Sequence, residues 1–190
     1  MPHRSHDHVH GTGAIEGRHS RGYDRMARLL LRPLYRRIAA DIADSAPDGA
    51  ALLDVGTGPG ILLKTLGRLR PDLELVGVDL SPDMVAHAGR NLGDRFELHA
   101  ADVAALPLAD DRFDLVVTTY SSHHWGDPET GAAEIARVLR AGGRLLDYDF
   151  PYAPFEALTG RSGLTLVGQE SFRTVWGRFM KTTRFEAAAN

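Results

Sequence analysis

Between residues 51 and 149, short apolar runs alternate with amphipathic stretches. Ala51 to Val55 is apolar except for Asp54 and closes on Gly56-Thr57-Gly58-Pro59-Gly60. Apolar runs of this length bounded by glycine predict buried parallel strands. The pattern gives strands at 51–55, 73–79, 95–101, 113–119 and 144–149, with helices at 60–69, 82–92 and 128–140 between them. Gly142-Gly143 is expected to stop the last of these helices. Parallel strands joined by crossover helices predict an α/β fold, a doubly wound sheet with helices on both faces. Beyond Pro154 a short helix is expected, then β-rich stretches at 164–171 and 178–185 around Val175-Trp176-Gly177, a terminal hairpin.

Upstream, Leu34, Ile38 and Ile42 recur at i, i+4 and i+8, so 22–46 is expected to form two helices divided at Pro33, an N-terminal helical cap over 21–46. Its arginines, Arg21, Arg25, Arg28, Arg32, Arg36 and Arg37, face only Asp24 and Asp41. A solvated helix face explains them, and contact with a membrane surface or nucleic acid is the functional alternative. Residues 1–20 carry His3, His6, His8, His10 and His19 with no hydrophobic period, which predicts a disordered arm. Ile15-Glu16-Gly17-Arg18 matches a protease site used in expression vectors, so part of the arm reads as a tag, with a metal-binding tail as the alternative.

A chain of 190 residues suits one main domain, here 47–190. A net charge of −3 argues against a large nucleic-acid footprint. No apolar run approaches the roughly 18 to 20 residues that span a bilayer, and the histidine-bearing N-terminus lacks a signal-peptide block, so no stable membrane insertion and a cytoplasmic location are expected. The absence of cysteine excludes disulfides and cysteine-ligated zinc.

Candidate chemistry lies at the strand ends. Gly56, Gly58 and Gly60 read G-x-G-x-G, unlike the G-x-G-x-x-G of dinucleotide-binding loops. The second strand ends in Asp79, 19 residues beyond Gly60, where a carboxylate can accept from both hydroxyls of a ribose. Ser81-Pro82-Asp83 reads as an N-cap, a first-turn proline and a dipole-favoured acid. The third strand ends in Asp102-Val103. The ordered acids Asp54, Asp79 and Asp102, with the glycine loop, resemble the class I S-adenosylmethionine (SAM) dependent methyltransferases over about residues 50 to 187.

That resemblance implies a seven-stranded sheet of order 3-2-1-4-5-7-6, its last strand pair a hairpin. It also implies SAM as cofactor, with S-adenosylhomocysteine as product. Cofactor-binding positions carried over are Asp54, Gly56, Thr57, Gly58, Gly60, Asp79, Leu80, Met84, Asp102, Val103, Thr119 and Tyr120, with Tyr23 closing the sulfonium end. At the acceptor side the chain lacks an Asn/Asp-Pro-Pro-aromatic motif and has Ser121-Ser122-His123-His124-Trp125 followed by Asp127-Pro128. This run resembles small-molecule C- and O-methyltransferases, including the ubiquinone and menaquinone biosynthesis group. The implied activity is in-line methyl transfer to a small-molecule acceptor, at oxygen or carbon ahead of nitrogen.

An imidazole suits the removal of an acceptor proton near neutral pH. His123 is the first candidate base and His124 the second, with a helix-capping or loop-bonding histidine as the alternative for each. Trp125 is expected to pack. Tyr148 and Asp149 could reach the same pocket, and an ordinary strand terminus also explains them. Asp127 and Asp149 are the only acids near the acceptor, so no catalytic metal is expected. Acceptor recognition is then left to the N-terminal helices, the loop at 120–127 or a second subunit, which leaves room for a homodimer. Two other readings stay open: a non-catalytic SAM-binding or regulatory module, and an NAD(P)-dependent oxidoreductase, which the glycine spacing disfavours.

Overall fold

Strand β1 (Ala51–Val55) is buried along its whole length and pairs with a parallel neighbour on each edge, so helices must cover both its faces. The computed structural model describes residues 32–160, 162–173 and 181–190. The His-bearing arm, Tyr23, the first half of the cap and Val175-Trp176-Gly177 lie outside the described residues.

In chain order the remaining elements are α1 (Arg32–Ser45), α2 (Ile61–Leu69), β2 (Glu74–Asp79), α3 (Pro82–Leu92), β3 (Glu97–Ala100), β4 (Phe113–Thr119), α4 (Pro128–Val138), β5 (Leu139–Asp149), β6 (Leu164–Arg173) and β7 (Lys181–Ala189). They form one seven-stranded sheet of order β3-β2-β1-β4-β5-β7-β6, as the resemblance implied. Strand β7 runs antiparallel to both its neighbours, and the other pairings are parallel.

One face of the sheet packs Leu34, Ile38 and Ile42 of α1 and Leu62, Leu63 and Leu66 of α2 against Leu52, Leu115, Leu146 and Tyr148. The other packs Ala132, Ile135 and Val138 of α4 against Leu53, Val116, Leu145 and Phe185. Each buried leucine or isoleucine contributes roughly 1.5–3 kcal/mol. Helix α3 starts as its sequence predicts: the Ser81 side chain accepts from the Met84 N–H, Pro82 follows, and Asp83 sits in the first turn.

Three boundaries differ from expectation. Helix α4 ends at Val138 and β5 begins at once with Leu139, so Gly142-Gly143 lies inside a strand instead of stopping a helix. Leu139 is buried and pairs with Phe113, and Gly142, at φ 74°, serves a break in the strand register. After Pro154, i→i+3 turns replace the expected helix, from Ala157 to Pro154 and from Leu158 to Phe155, because Phe155 and Leu158 anchor the segment in the core. Strand β7 runs on through alanines of low β-propensity, since Phe185, Ala187 and Ala189 alternate onto the core face.

Helix α1 is tied to the sheet by charge as well as by packing. Asp41 Oδ2 accepts from the Tyr148 hydroxyl at 2.5 Å and from Arg184 Nε at 2.9 Å. Arg184 continues to Glu186, and Glu186 to Arg144, whose guanidinium also donates to the Ser45 carbonyl. Tyr148 therefore points away from the loop that follows β4, correcting the expectation that it could reach the acceptor pocket. A hydrogen bond to a charged partner contributes about 1.5–3 kcal/mol. Tyr148→Phe is expected to lower unfolding free energy by about that amount, read by urea denaturation with an unchanged m-value.

Candidate functional site

The carboxyl ends of β1 and β4 lie side by side where the chain reverses its direction of travel across the sheet, the place where open α/β sheets bind ligands. Gly56, Gly58 and Gly60 all adopt positive φ, at 74°, 53° and 77°. A Cβ on Gly56 would lie 2.1 Å from Ser121 Oγ, so the loop after β4 rests directly on the glycine turn. At Gly60 a Cβ would strike Leu92 of α3 at 2.7 Å. At Gly58 it would meet nothing within 4 Å, which leaves the backbone there open to a ligand.

Asp79 organises this turn. Its Oδ2 accepts from the Gly58 N–H at 2.8 Å and its Oδ1 from the Ser81 N–H at 2.9 Å, while burial pushes its carboxyl above the ordinary range. Leu80 beside it is exposed, and Met84 is buried under the start of α3. Asp102 is exposed and caps the turn at Val103–Ala105 by accepting from the Ala104 N–H, with the Val103 side chain in the core.

Asp54, Thr57 and Thr119 are nearly or wholly buried at the same edge. Asp54 Oδ2, Thr57 Oγ1 and Thr119 Oγ1 have no hydrogen-bond partner among the described residues. Unpartnered buried polar groups are costly and point to a missing polar ligand. A carboxylate beside two hydroxyls suits an ammonium group, and Asp79 with the open Gly58 backbone suits a ribose. The residues present therefore fit a nucleoside that carries an amino acid, such as SAM. Burial raises the Asp54 carboxyl to about 7.

The acceptor side is built by the turn after β4 and the end of β5. Tyr120 adopts φ 52°, uncommon for a non-glycine residue, and its hydroxyl bonds Thr182 on β7. Asp149 is fully buried. Its carboxylate accepts from Ser122 Oγ at 2.8 Å and from the His123 N–H at 3.2 Å, and it lies 2.8 Å from His123 Nδ1. This contact leaves Nε2 of His123 as the outward nitrogen and makes Asp149 its orienting partner. His124, exposed overall, lies with its ring centroid 3.9 Å from that of His123 at a tilt of 41°, and partial desolvation of the ring followed by the charge of His123 pushes its titration down. Trp125 packs on the core and donates to Ser121 Oγ, and the cap of α4 is Asp127, accepting from the Thr130 N–H.

Two aromatic residues here escaped sequence reasoning. Phe150 and Tyr152 stack with centroids 5.2 Å apart, and both rings meet His123 edge-on, at 5.1 and 6.1 Å. Tyr152 is 73% exposed, an open aromatic face beside the histidine. A sequence signal existed: Asp147 and Asp149 alternate with Tyr148, Phe150 and Tyr152 at the end of the fifth strand and just beyond it.

Comparisons with known proteins agree with this geometry. Residues 53–147 match the family model described as a methyltransferase domain. The demethylmenaquinone methyltransferase of Thermus thermophilus is 38% identical over 141 residues, 70% of this chain and 62% of that protein. The ubiquinone/menaquinone biosynthesis C-methyltransferase of Hahella chejuensis is 32% identical over 173 residues, 80% of this chain and 69% of that one. The chain thus spans less than two thirds of the length of some curated relatives it matches, the Thermus protein among them. Among solved structures, a SAM-dependent methyltransferase from Aquifex aeolicus superposes with a TM-score of 0.75 at 18% identity, covering 93% of this chain and all of that one, a likeness of fold.

The raised Asp54 carboxyl has a definite consequence for stability. A group shifted up from 3.8 to about 7 contributes stability that is fully present below 3.8 and lost as pH rises through about 7. Asp54→Asn removes that titration. Its stability relative to the unsubstituted protein is expected to grow by about 2–3 kcal/mol between about pH 5 and about pH 9, read by thermal unfolding without ligand. A difference independent of pH would refute this account of Asp54.

Proposed function

The chain belongs to the class I SAM-dependent methyltransferases, and from that premise we propose that it methylates a flat small molecule at carbon or oxygen, with His123 as the base that takes the acceptor's proton. The supporting observation is the His123–Asp149 pair, 2.8 Å apart, on a turn seated against the glycine loop. SAM supplies, when bound, a methyl group activated by a sulfonium. The chain's own residues then orient and deprotonate. Asp54, Thr57 and Thr119 hold the ammonium end, Asp79 the ribose, and the turn at Asp102-Val103 borders the base. Leu80 and Met84 line the floor, and Tyr120 closes the side toward β7.

On the acceptor side Tyr152 and Phe150 offer a face for a planar ring, and His123 Nε2 lies at its edge. In a transfer that breaks the sulfur–methyl bond and leaves a neutral thioether, His123 Nε2 would take the proton given up by the acceptor's carbon or oxygen, and the buried Asp149 carboxylate would stabilise the resulting imidazolium. Positioning of the two reactants supplies several kcal/mol more. The names of the Thermus and Hahella relatives, which concern quinones, favour a quinol ring as the first acceptor to screen.

Calorimetric titration with S-adenosylhomocysteine is expected to give micromolar binding, with none for NADH. Asp79→Ala is expected to weaken that binding by about tenfold or more, about 1.4 kcal/mol. Binding of NADH, or of neither ligand, would overturn the reading of the glycine loop.

With a quinol or phenol acceptor, His123→Ala and Asp149→Asn are each expected to lower kcat by about 100-fold or more while leaving S-adenosylhomocysteine affinity unchanged. Cofactor binding without turnover over a broad acceptor panel would favour a non-catalytic SAM-binding module.

A further inference from the structure

Asp147 is the one acid of β5 that the proposed chemistry leaves unused, and its surroundings are unusual. It is fully buried, and neither carboxyl oxygen has a hydrogen-bond partner among the described residues. It lies two residues before Asp149 on the same face of β5, the face that carries Leu145. Across the sheet its neighbours are Thr118 on β4, whose own buried Oγ1 is unpartnered, and Phe185 on β7. The packed parts of α4 contribute Gly131, Ala132 and Ile135, which are all uncharged. Among the described residues, the titratable groups facing Asp147 are thus Asp149 and, beyond it, His123 and His124.

Among the described residues, an ionised carboxylate in that position would have no cation beside it and no hydrogen bond from the neighbouring Thr118 and Ser122 hydroxyls, and it would sit beside a second carboxylate already bonded to His123. Burial and the charge of Asp149 both push the Asp147 carboxyl well above its usual range, and the nearby Ser122 hydroxyl offsets them only in part. A protonated carboxyl resolves the problem, because it brings its own O–H donor. Ser122 Oγ already donates to Asp149 Oδ2 at 2.8 Å and has lone pairs left to accept that O–H. A bond from that O–H to Ser122 Oγ would complete a chain through Ser122 and Asp149 to His123 Nδ1.

We propose that Asp147 is a positioning residue which, as a neutral carboxyl, fixes the Ser122 hydroxyl on Asp149 and thereby holds the orientation and tautomer of His123. This rests on His123 serving as the base. Asp147 touches neither acceptor nor cofactor. Its proton stays on the carboxyl throughout the reaction, and the pair Asp147 and Asp149 keeps one proton and one negative charge between them.

Two measurements test it. Asp147→Leu, which keeps the branched outline and loses the hydrogen bond, is expected to lower kcat by about ten- to a hundredfold, the range seen where outer groups orient a metal-bound histidine. KM for SAM is expected to stay unchanged. Asp147→Asn, neutral and still able to donate to Ser122, recovers most of that turnover with the same pH profile, and Leu at position 147 adds no further loss in a Ser122→Ala background. An Asn variant as impaired as the Leu variant, or one with a displaced pH profile, overturns the proposal. The second measurement needs no substrate: in carboxyl-labelled protein, the Asp147 carbon, assigned by its absence from the Asn variant, is expected to show the shift of a neutral acid at neutral pH, where an ordinary aspartate is ionised. An ionised signal overturns the proposal even if no acceptor is ever found. A neutral signal with no turnover on any acceptor would locate the failure in the assigned activity instead.

Discussion

The parallel pairing of β1 on both edges is the constraint from which the rest of the molecule follows. A strand buried on both faces offers water nothing, so helices α1 and α2 must cover one side and α4 the other. The chain can leave β1 only at its carboxyl end, and it must turn at once to begin α2. That turn has to take left-handed backbone at Gly56, Gly58 and Gly60, and the loop after β4 comes to rest on it through Ser121. The two halves of the site are in contact because two adjacent parallel strands end at the same level.

The same geometry forces polar groups into places where they are costly. Asp54, Thr57, Thr118, Thr119 and Asp147 are all buried, and each has at least one unpartnered side-chain oxygen. A core built for stability alone would carry valine or isoleucine at these positions. The two acids sit on opposite faces of the sheet, Asp54 with Leu52 and Asp147 with Leu145, so they answer to different occupants. Asp54 faces the glycine-loop side, where a ligand can supply the missing donors. Asp147 faces the core side that carries Leu145, where neither of its oxygens has a hydrogen-bond partner among the described residues.

What the sequence made legible follows from the range of the interactions involved. The cap at Ser81-Pro82-Asp83, the glycine turn and the strand order rest on local patterns or on topology that those patterns restrict. The ends of α4 and β7 were misplaced because local propensity lost to burial. Leu139 gains more by pairing with Phe113 than by extending a helix to the glycines, and Ala187 and Ala189 are held by the core face they fill. The His123–Asp149 pair joins residues 26 apart in sequence, one on the turn after β4 and one at the end of β5, and no periodicity shows that distance. Alternation along β5 did carry part of the answer: period two separates Tyr148 from Asp147 and Asp149, which decides that the tyrosine belongs to α1 and the acids to the acceptor side.

Strand β5 consequently serves two masters across one backbone. On one face Tyr148 reaches Asp41 and ties the N-terminal helix down; on the other, Asp149 holds His123. The backbone between them is clamped as well, since the Tyr120 N–H donates to the Tyr148 carbonyl at 2.8 Å. Any shift of α1 along the sheet would therefore be felt by the residue that begins the histidine turn. His123 is thus positioned from three sides: by the carboxylate it contacts, by the glycine loop beneath Ser121, and by the helix bonded to the opposite face of β5. A histidine on a free surface loop would lose orientation with every motion of that loop, whereas here movement would require breaking core packing on both faces of the sheet.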